Sequence, residues 1–379
     1  MRQTPRQLGS YELRTKLAIG GFSEVWLARQ QGAAGFVRPC AVKVLREDFV
    51  RDEAARKAIM AEARLLARFD HPHIMAMLEF GLEPTTQLLY YAMPYVPGRT
   101  LCTLIERSRQ SPYFGVAEAL WIGARMLSAL HYAHTYTDPR HGPLHIVHRD
   151  ISPENVLVGH DGSLRLIDFG IALSGIVSRD TRARRVKGKA QYLSPEQARG
   201  VPELDARTDI YAAGLVLYLM LTGREAFSED PMQAILEAQN PRITPVAQLA
   251  DIPRELAALI DAMLEPDLNQ RRVSAFDAGR ALSSILQRFY PGYDEHTFRA
   301  AVEALLARER QDDLELLAAL EGGTQVIHQE ELEPTSFEEI TSHSSERATH
   351  KTIPDIAAVR GNTAELSAIL HDLDNLYGK

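Results

Sequence analysis

The sequence predicts an α+β chain of two lobes, a small β-rich one followed by a larger α-helical one. Three observations predict it. Residues 11–45 read as strands, their β-branched and aromatic residues broken by a glycine cluster and by a Gly/Ala turn at 32–35. After Gly98 helical periodicity dominates. Polar clusters at 146–155 and 166–170 sit between short apolar strands, where polar residues are poor structural choices and good chemical ones.

Taken in order, residues 52–69 turn helical, with Ile59, Ala63, Leu66 and Phe69 at helical spacing. Strand-like stretches follow at 74–80 and 88–93. Helices are expected at 117–134, 210–222 and 254–264, with short strands at 156–158 and 164–167 around Gly162. A helical extension at 291–321 carries Phe298, Val302, Leu305 and Leu306 on one face. Residues 322–352 are rich in Ser, Thr and Glu, the composition of a disordered linker. Residues 353–379 close as a short amphipathic helix through Leu366, Ile369, Leu373 and Leu376, with Asn362 and Glu365 as a plausible cap.

The bulk numbers exclude several classes. A net charge of −8 over 379 residues argues against nucleic acid as a partner. Cys40 and Cys102 are the only cysteines and form no CxxC or Cys/His cluster, which suits a reducing compartment and excludes a cysteine-based zinc site. The first residues lack the apolar stretch of a signal peptide, and the apolar run at 210–221 is too short to span a bilayer. The expectation is a soluble cytoplasmic protein with no membrane partner.

Four features carry chemistry. The run Leu17, Ala18, Ile19, Gly20, Gly21, Phe22, Ser23, Glu24, Val25 lies between two strand-like segments. Glycines there would let backbone N–H groups approach phosphate oxygens, although a plain hairpin turn reads the same. Lys43, beside Ala41 and Val42 on an apolar strand, is costly to bury without an anion, and otherwise is an exposed edge lysine. Glu62, nineteen residues on and mid-helix, can supply that anion or can face solvent. The fourth feature decides. Asp150, in Ile146-Val147-His148-Arg149-Asp150-Ile151-Ser152-Pro153-Glu154-Asn155, can orient an attacking hydroxyl and take its proton. Asn155 and Asp168 (in Asp168-Phe169-Gly170) offer hard oxygens suited to Mg²⁺ on ATP phosphates.

With these residues the chain resembles the bacterial eukaryotic-type (Hanks-type) serine/threonine protein kinases over 11–290. The resemblance implies a bilobal protein-kinase-like fold: N-lobe 11–93, hinge 94–98 and C-lobe 99–290. Met93 stands at the gatekeeper position, with Tyr95 and Val96 on the hinge that binds adenine. It implies that Lys43 holds the α/β-phosphates, Glu62 fixes Lys43 and Asp150 is the catalytic base. Further landmarks are His71-Pro72-His73-Ile74 and Ser194-Pro195-Glu196, Arg271 as the partner of Glu196, and Asp209 as anchor of the catalytic loop. The implied activity is transfer of the γ-phosphate of Mg-ATP to protein Ser/Thr hydroxyls. Autophosphorylation is expected at Ser174, Ser178 or Thr181 near Arg149 and the loop arginines. Thr324, with Ile327 three residues on, suits a phosphothreonine-reading partner at the C-terminal tail.

Departures from the family pattern leave an alternative, a catalytically weak kinase-fold scaffold that binds signalling partners. Ala18 and Ser23 replace two glycines of the phosphate loop, which should stiffen it and weaken nucleotide affinity. Ser152 replaces the lysine two residues after the catalytic aspartate, and Lys189 replaces the threonine after Gly188. The two look exchanged, so Lys189 is expected to reach Asp150 and supply the missing charge.

Overall fold

Alternation of apolar and polar residues at 6–45 and 79–94 produces the first layer, an antiparallel sheet of six strands. These are β1 (Arg6–Leu8), β2 (Tyr11–Ile19), β3 (Ser23–Gln31), β4 (Val37–Leu45), β5 (Glu79–Leu82) and β6 (Leu89–Pro94), in the order β1-β2-β3-β4-β6-β5. The structure is a computed structural model, and it describes residues 6–32, 35–109, 114–169 and 189–321. One face of the sheet closes over Leu13, Ala28, Val42, Val44 and Tyr90. The other turns Ala41, Leu45, Tyr91 and Met93 into the main core, toward helix α1 (Glu53–Leu66). Lys43 lies between Ala41 and Leu45 in the strand, so the pleat sends it to this second face. Asp52 caps α1, its side chain accepting from the Ala55 amide at 2.9 Å.

The segment expected as a strand at 74–80 joins the sheet only from Leu78, whose amide donates to the Ala92 carbonyl at 2.8 Å. Before that, the Met75 amide donates to the Leu166 carbonyl (2.9 Å) and the Leu166 amide to the His73 carbonyl (2.8 Å). Residues 73–75 are therefore stitched to the second lobe, which draws them out of the first sheet.

The crossing into that lobe is β7 (Gly98–Thr100), which pairs with β10 (Val156–Gly159); β10 also pairs with β11 (Leu164–Leu166). A Cβ on Gly98 would stand 2.1 Å from the Val158 carbonyl oxygen, so only glycine lets these strands meet. Helices α2 (Leu101–Ser108) and α3 (Val116–His134) come between, and the two-residue strands β8 (Thr137–Asp138) and β9 (Gly142–Pro143) form a separate pair. Then follow α4 (Pro195–Ala198), α5 (Ala206–Thr222), α6 (Pro231–Gln239), α7 (Arg254–Met263) and α8 (Ala275–Phe289). Helix α5 is buried along nearly its whole length. It starts four residues before the apolar run because Asp205 caps it, and it stops at Gly223, whose φ of +68° suits glycine.

The extension is two helices, α9 (Glu295–Leu305) and α10 (Ala307–Glu321). Phe298, Val302 and Leu306 are fully buried in the main core, and Phe298 stacks on Trp121 at 5.8 Å. Helix α10 then runs back across β7 to β4. Its Asp313 accepts from Tyr95 Oη (3.2 Å), Arg99 Nη1 (2.9 and 3.0 Å) and His160 Nε2 (2.8 Å). Arg107 donates to Glu309 at 2.6 and 2.9 Å. Sequence periodicity treats 291–321 as an appendage; in the structure it shares the core of the larger lobe and braces the segment between the lobes.

Shortening the chain tests this arrangement. Burial of Phe298, Val302 and Leu306 is worth about 5 kcal/mol together, which at this size corresponds to roughly 10 °C in melting temperature. A chain ending at 321 should melt with the full-length protein, whereas one ending at 290 should melt at least that much lower or aggregate. Equal melting temperatures for the two would disprove an integral role for these helices.

Candidate active site

Between the lobes the pleat of β4 and the inner face of α1 bring opposite charges together. Lys43 is 4% exposed, and its Nζ lies 3.0 and 3.1 Å from the two Glu62 carboxylate oxygens and 2.6 Å from Asp168 Oδ1. Burial alone would depress the lysine, but Asp168 and Glu62 outweigh it and hold the ammonium well above its ordinary range. The alternatives of an exposed edge lysine and a solvated glutamate do not describe these two residues.

The loop carrying Asp150 hangs from α5. Asp209, fully buried near the start of that helix, accepts from the backbone amides of His148 (2.7 Å) and Arg149 (2.8 Å) and from His134 Nε2 (2.8 Å). Burial pushes its carboxyl up, yet the hydrogen bonds from His134 and the His148 backbone amide keep it below the usual value. The Arg149 carbonyl receives Gln197 Nε2 at 2.8 Å. Arg149 and Asp168 have φ values of +67° and +55°, left-handed conformations that cost a non-glycine residue roughly 1–3 kcal/mol each. The Asp209 clamp is one of the contacts that hold the first of them. Behind Asp168, Phe169 lies between His148 (4.4 Å) and Phe69 (5.2 Å), a run of tilted ring contacts reaching from just beyond α1 to the loop.

Asn155 Nδ2 donates to the Asp150 carbonyl (2.6 Å) and to Asp150 Oδ2 (2.9 Å), which fixes the carboxylate. Lys189 Nζ is 2.7 Å from the same Oδ2 and 3.2 Å from Asn155 Oδ1. Ser152 is buried and its hydroxyl has no hydrogen-bond partner among the described residues. Arg271 and Glu196 pair in the base of the lobe at 2.8 and 3.2 Å, with Thr208 Oγ1 2.9 Å from Glu196.

In the run 17–25 the Gly20 amide closes a turn onto the Ser23 carbonyl at 2.7 Å. Phe22 is buried under it, Gly21 is open and Ile19 is exposed. Leu17 and Val25 pack partly against the core, and Ala18 pairs with Val25 across the hairpin. Glu24 is engaged on the sheet by Lys16 (2.8 Å) and the Trp26 indole (3.1 Å), so its carboxylate is turned to neighbours there. Ala41 and Met93 are cross-strand partners on the inner face, followed by half-buried Tyr95 and Val96. Asn155 Oδ1 and the Asp168 carboxylate form an all-oxygen donor set, which fits a hard divalent ion. Gly170, Ser174, Ser178, Thr181, the loop arginines 179–185, Thr324 and the expected C-terminal helix lie outside the described residues.

Sequence reasoning missed His134, Gln197, Glu309 and Asp313. In Gln311-Asp312-Asp313-Leu314-Glu315 the carboxylates read as a solvated helix face; no local signal marks Asp313 as buried.

A β-rich lobe and a helical lobe, with this carboxylate–lysine line between them, define the protein-kinase class of protein. The chain belongs to that family: the protein kinase domain profile matches residues 11–281. It is 33% identical over 305 residues to the tyrosine-protein kinase MasK of Myxococcus xanthus, covering 80% of this chain and 47% of that protein. It is 36% identical over 279 residues to the serine/threonine-protein kinase PknB of Mycolicibacterium smegmatis, covering 72% and 42%. The chain thus spans about half the length, or less, of these curated relatives. Among solved structures the PknI kinase domain of Mycobacterium tuberculosis matches with a TM-score of 0.54 and 24% identity, covering 75% of this chain and 100% of that one. At that identity the likeness concerns the fold alone.

Two histidines make this region acid-sensitive. His148 Nδ1 accepts from the Asp150 amide (3.3 Å), so its ring is neutral, and burial together with Lys189 lowers its pKa against the pull of Asp209 and Asp150. Burial pushes His73 down to about 4. Unfolded imidazoles protonate near ~6.5, so below that pH the unfolded chain binds more protons. This stability is complete above about pH 6.5 and is lost as pH falls toward the folded values. Melting temperature should drop between pH 7.5 and 5, and less so in His73→Phe; a flat profile would contradict the assignment.

Proposed function

We propose that this chain is a serine/threonine protein kinase that transfers the γ-phosphate of Mg-ATP to protein hydroxyls. The observation that carries the reading is the assembly of Lys43, Glu62, Asp168, Asp150 and Asn155 in one site. In this reading Lys43, fixed by Glu62, holds the α/β-phosphates, and the loop 17–25 covers them. Ala41 and Met93 border the adenine, whose edge meets the backbone at Tyr95 and Val96. Asn155 and Asp168 would hold Mg²⁺, which neutralises charge on the phosphates when bound. Asp150 orients the acceptor hydroxyl. As the hydroxyl oxygen bonds to the γ-phosphorus, the bond to the β–γ bridging oxygen breaks, ADP departs with that electron pair, and the proton passes to Asp150.

Serine and threonine are the proposed acceptors because relatives named serine/threonine-protein kinases align over most of this chain. MasK, named a tyrosine-protein kinase, is the reason to test tyrosine beside them. The proposed domain limits are a kinase body carried to residue 321 and a tail from 322 that offers Thr324 to a phosphothreonine reader. The setting is cytoplasmic signalling, in keeping with two unpaired cysteines. Among the described residues no helix is long and apolar enough to cross a membrane.

Mg-ATP with labelled γ-phosphate should mark the chain itself on Ser174, Ser178 or Thr181, and a generic protein substrate on Ser or Thr. Asp150→Asn should reduce turnover by about a thousandfold, the scale of a lost general base. Label found on tyrosine alone would reassign the acceptor, and an Asp150→Asn chain as active as wild type would remove the kinase reading.

A further inference from the structure

The lysine missing from position 152 leaves the transfer site one cation short, and the structure contains an ammonium where that charge is needed. We propose that Lys189 is a catalytic residue, the cation that contacts the transferred γ-phosphate. The inference rests on the kinase reading and names a further residue of that site.

Three observations carry it. The first is position. Lys189 Nζ is 2.7 Å from Asp150 Oδ2 and 3.2 Å from Asn155 Oδ1, between the proposed base and a proposed metal ligand. Its backbone is anchored: the Tyr192 amide donates to the Lys189 carbonyl (3.2 Å), Ala190 and Tyr192 are buried, and Tyr192 Oη reaches Glu225 at 2.8 Å. The second is Ser152, buried with a hydroxyl that has no partner among the described residues, so that position supplies no charge. The third is competition for one oxygen. Asn155 Nδ2 is committed to Asp150, and Oδ1 is the atom that a divalent ion would take. An ammonium and a divalent cation repel across a shared oxygen. A divalent ion held by Asn155 Oδ1 would therefore free Nζ from Asn155 while Asp150 keeps it, and of the anions then within its reach, Glu154 and the phosphate, only the phosphate gains charge during transfer. A flexible four-carbon stem allows this change of partner from a fixed backbone.

In the transfer the acceptor oxygen bonds to phosphorus, the bridging P–O bond breaks, and the proton goes to Asp150. Lys189 exchanges no proton; its charge offsets the charge on the phosphoryl oxygens as they pass between partners.

The test separates this role from a structural one by reading binding as well as turnover. Wild type, Lys189→Ala, Lys189→Thr, Ser152→Lys and the Ser152→Lys/Lys189→Thr double variant are compared in transfer assays and in calorimetric binding of Mg-AMP-PNP and Mg-ADP. Lys189→Ala should lower kcat about 100-fold and cut the preference for AMP-PNP over ADP, leaving ADP affinity within about twofold. Each half of the exchange should do harm alone, and the double variant should recover to within about tenfold of wild type, far from additive. Near-normal turnover in Lys189→Ala, an unchanged AMP-PNP/ADP ratio, or an additive cycle would overturn the proposal. If the wild type transfers no phosphate, the kinase reading fails instead, and the nucleotide ratio still decides whether Lys189 meets the γ-phosphate.

Discussion

A carboxylate with no access to water must be met by donors from its surroundings, and Asp209 is such a group. Its two oxygens are taken by two consecutive backbone amides and an imidazole. Those amides open the loop that ends in Asp150 and Asn155, so a charge on the central helix dictates the path of the reactive segment. Leaving such a carboxylate unpaired costs about 3–5 kcal/mol, a large part of a domain's net stability. The loop can thus hold Arg149 in a conformation that a free chain avoids.

The same device recurs at different depths. Glu196 meets Arg271, which is fully buried in the base of the lobe, and the pair ties the segment from Lys189 to Ala198 to the helical floor. Lys43 is answered by two carboxylates from different parts of the chain, α1 and the strand-hairpin end. The first of these pairs is structural in its surroundings. The second joins a strand of the first lobe to Asp168, whose side chain stays 35% exposed.

Much of this is legible in the sequence alone. Lys43 and Glu62 are nineteen residues apart, and the cost of burying an isolated ammonium makes their union the natural outcome. The order of Asp150, Asn155 and Asp168 around a short hairpin carries the metal-type chemistry by residue type alone. The charge mismatch at Ser152 and Lys189, from which the proposed exchange starts, is visible in the sequence. Other parts were illegible for physical reasons. Residues 74–77 have the apolar content of a strand, but the Met75 amide goes to Leu166 across the lobes and not to the sheet, a choice made by tertiary partners. The buried state of Asp313 depends on Tyr95, Arg99 and His160, all more than a hundred residues away, and helix periodicity contains nothing of them.

Helix α10 makes the joint between the lobes something other than a bare strip of backbone. Tyr95 sits on that joint, Arg99 and His160 beyond it, and one carboxylate grips all three while the helix leans on β4. A joint held in this way is splinted: bending it requires Asp313 to stretch or surrender a partner. Bending at the joint then depends on the extension of the larger lobe, through a residue 218 positions along the chain from the tyrosine it holds. Stiffness becomes a separable trait, adjustable by changes on an outer helix while the reactive groups stay as they are.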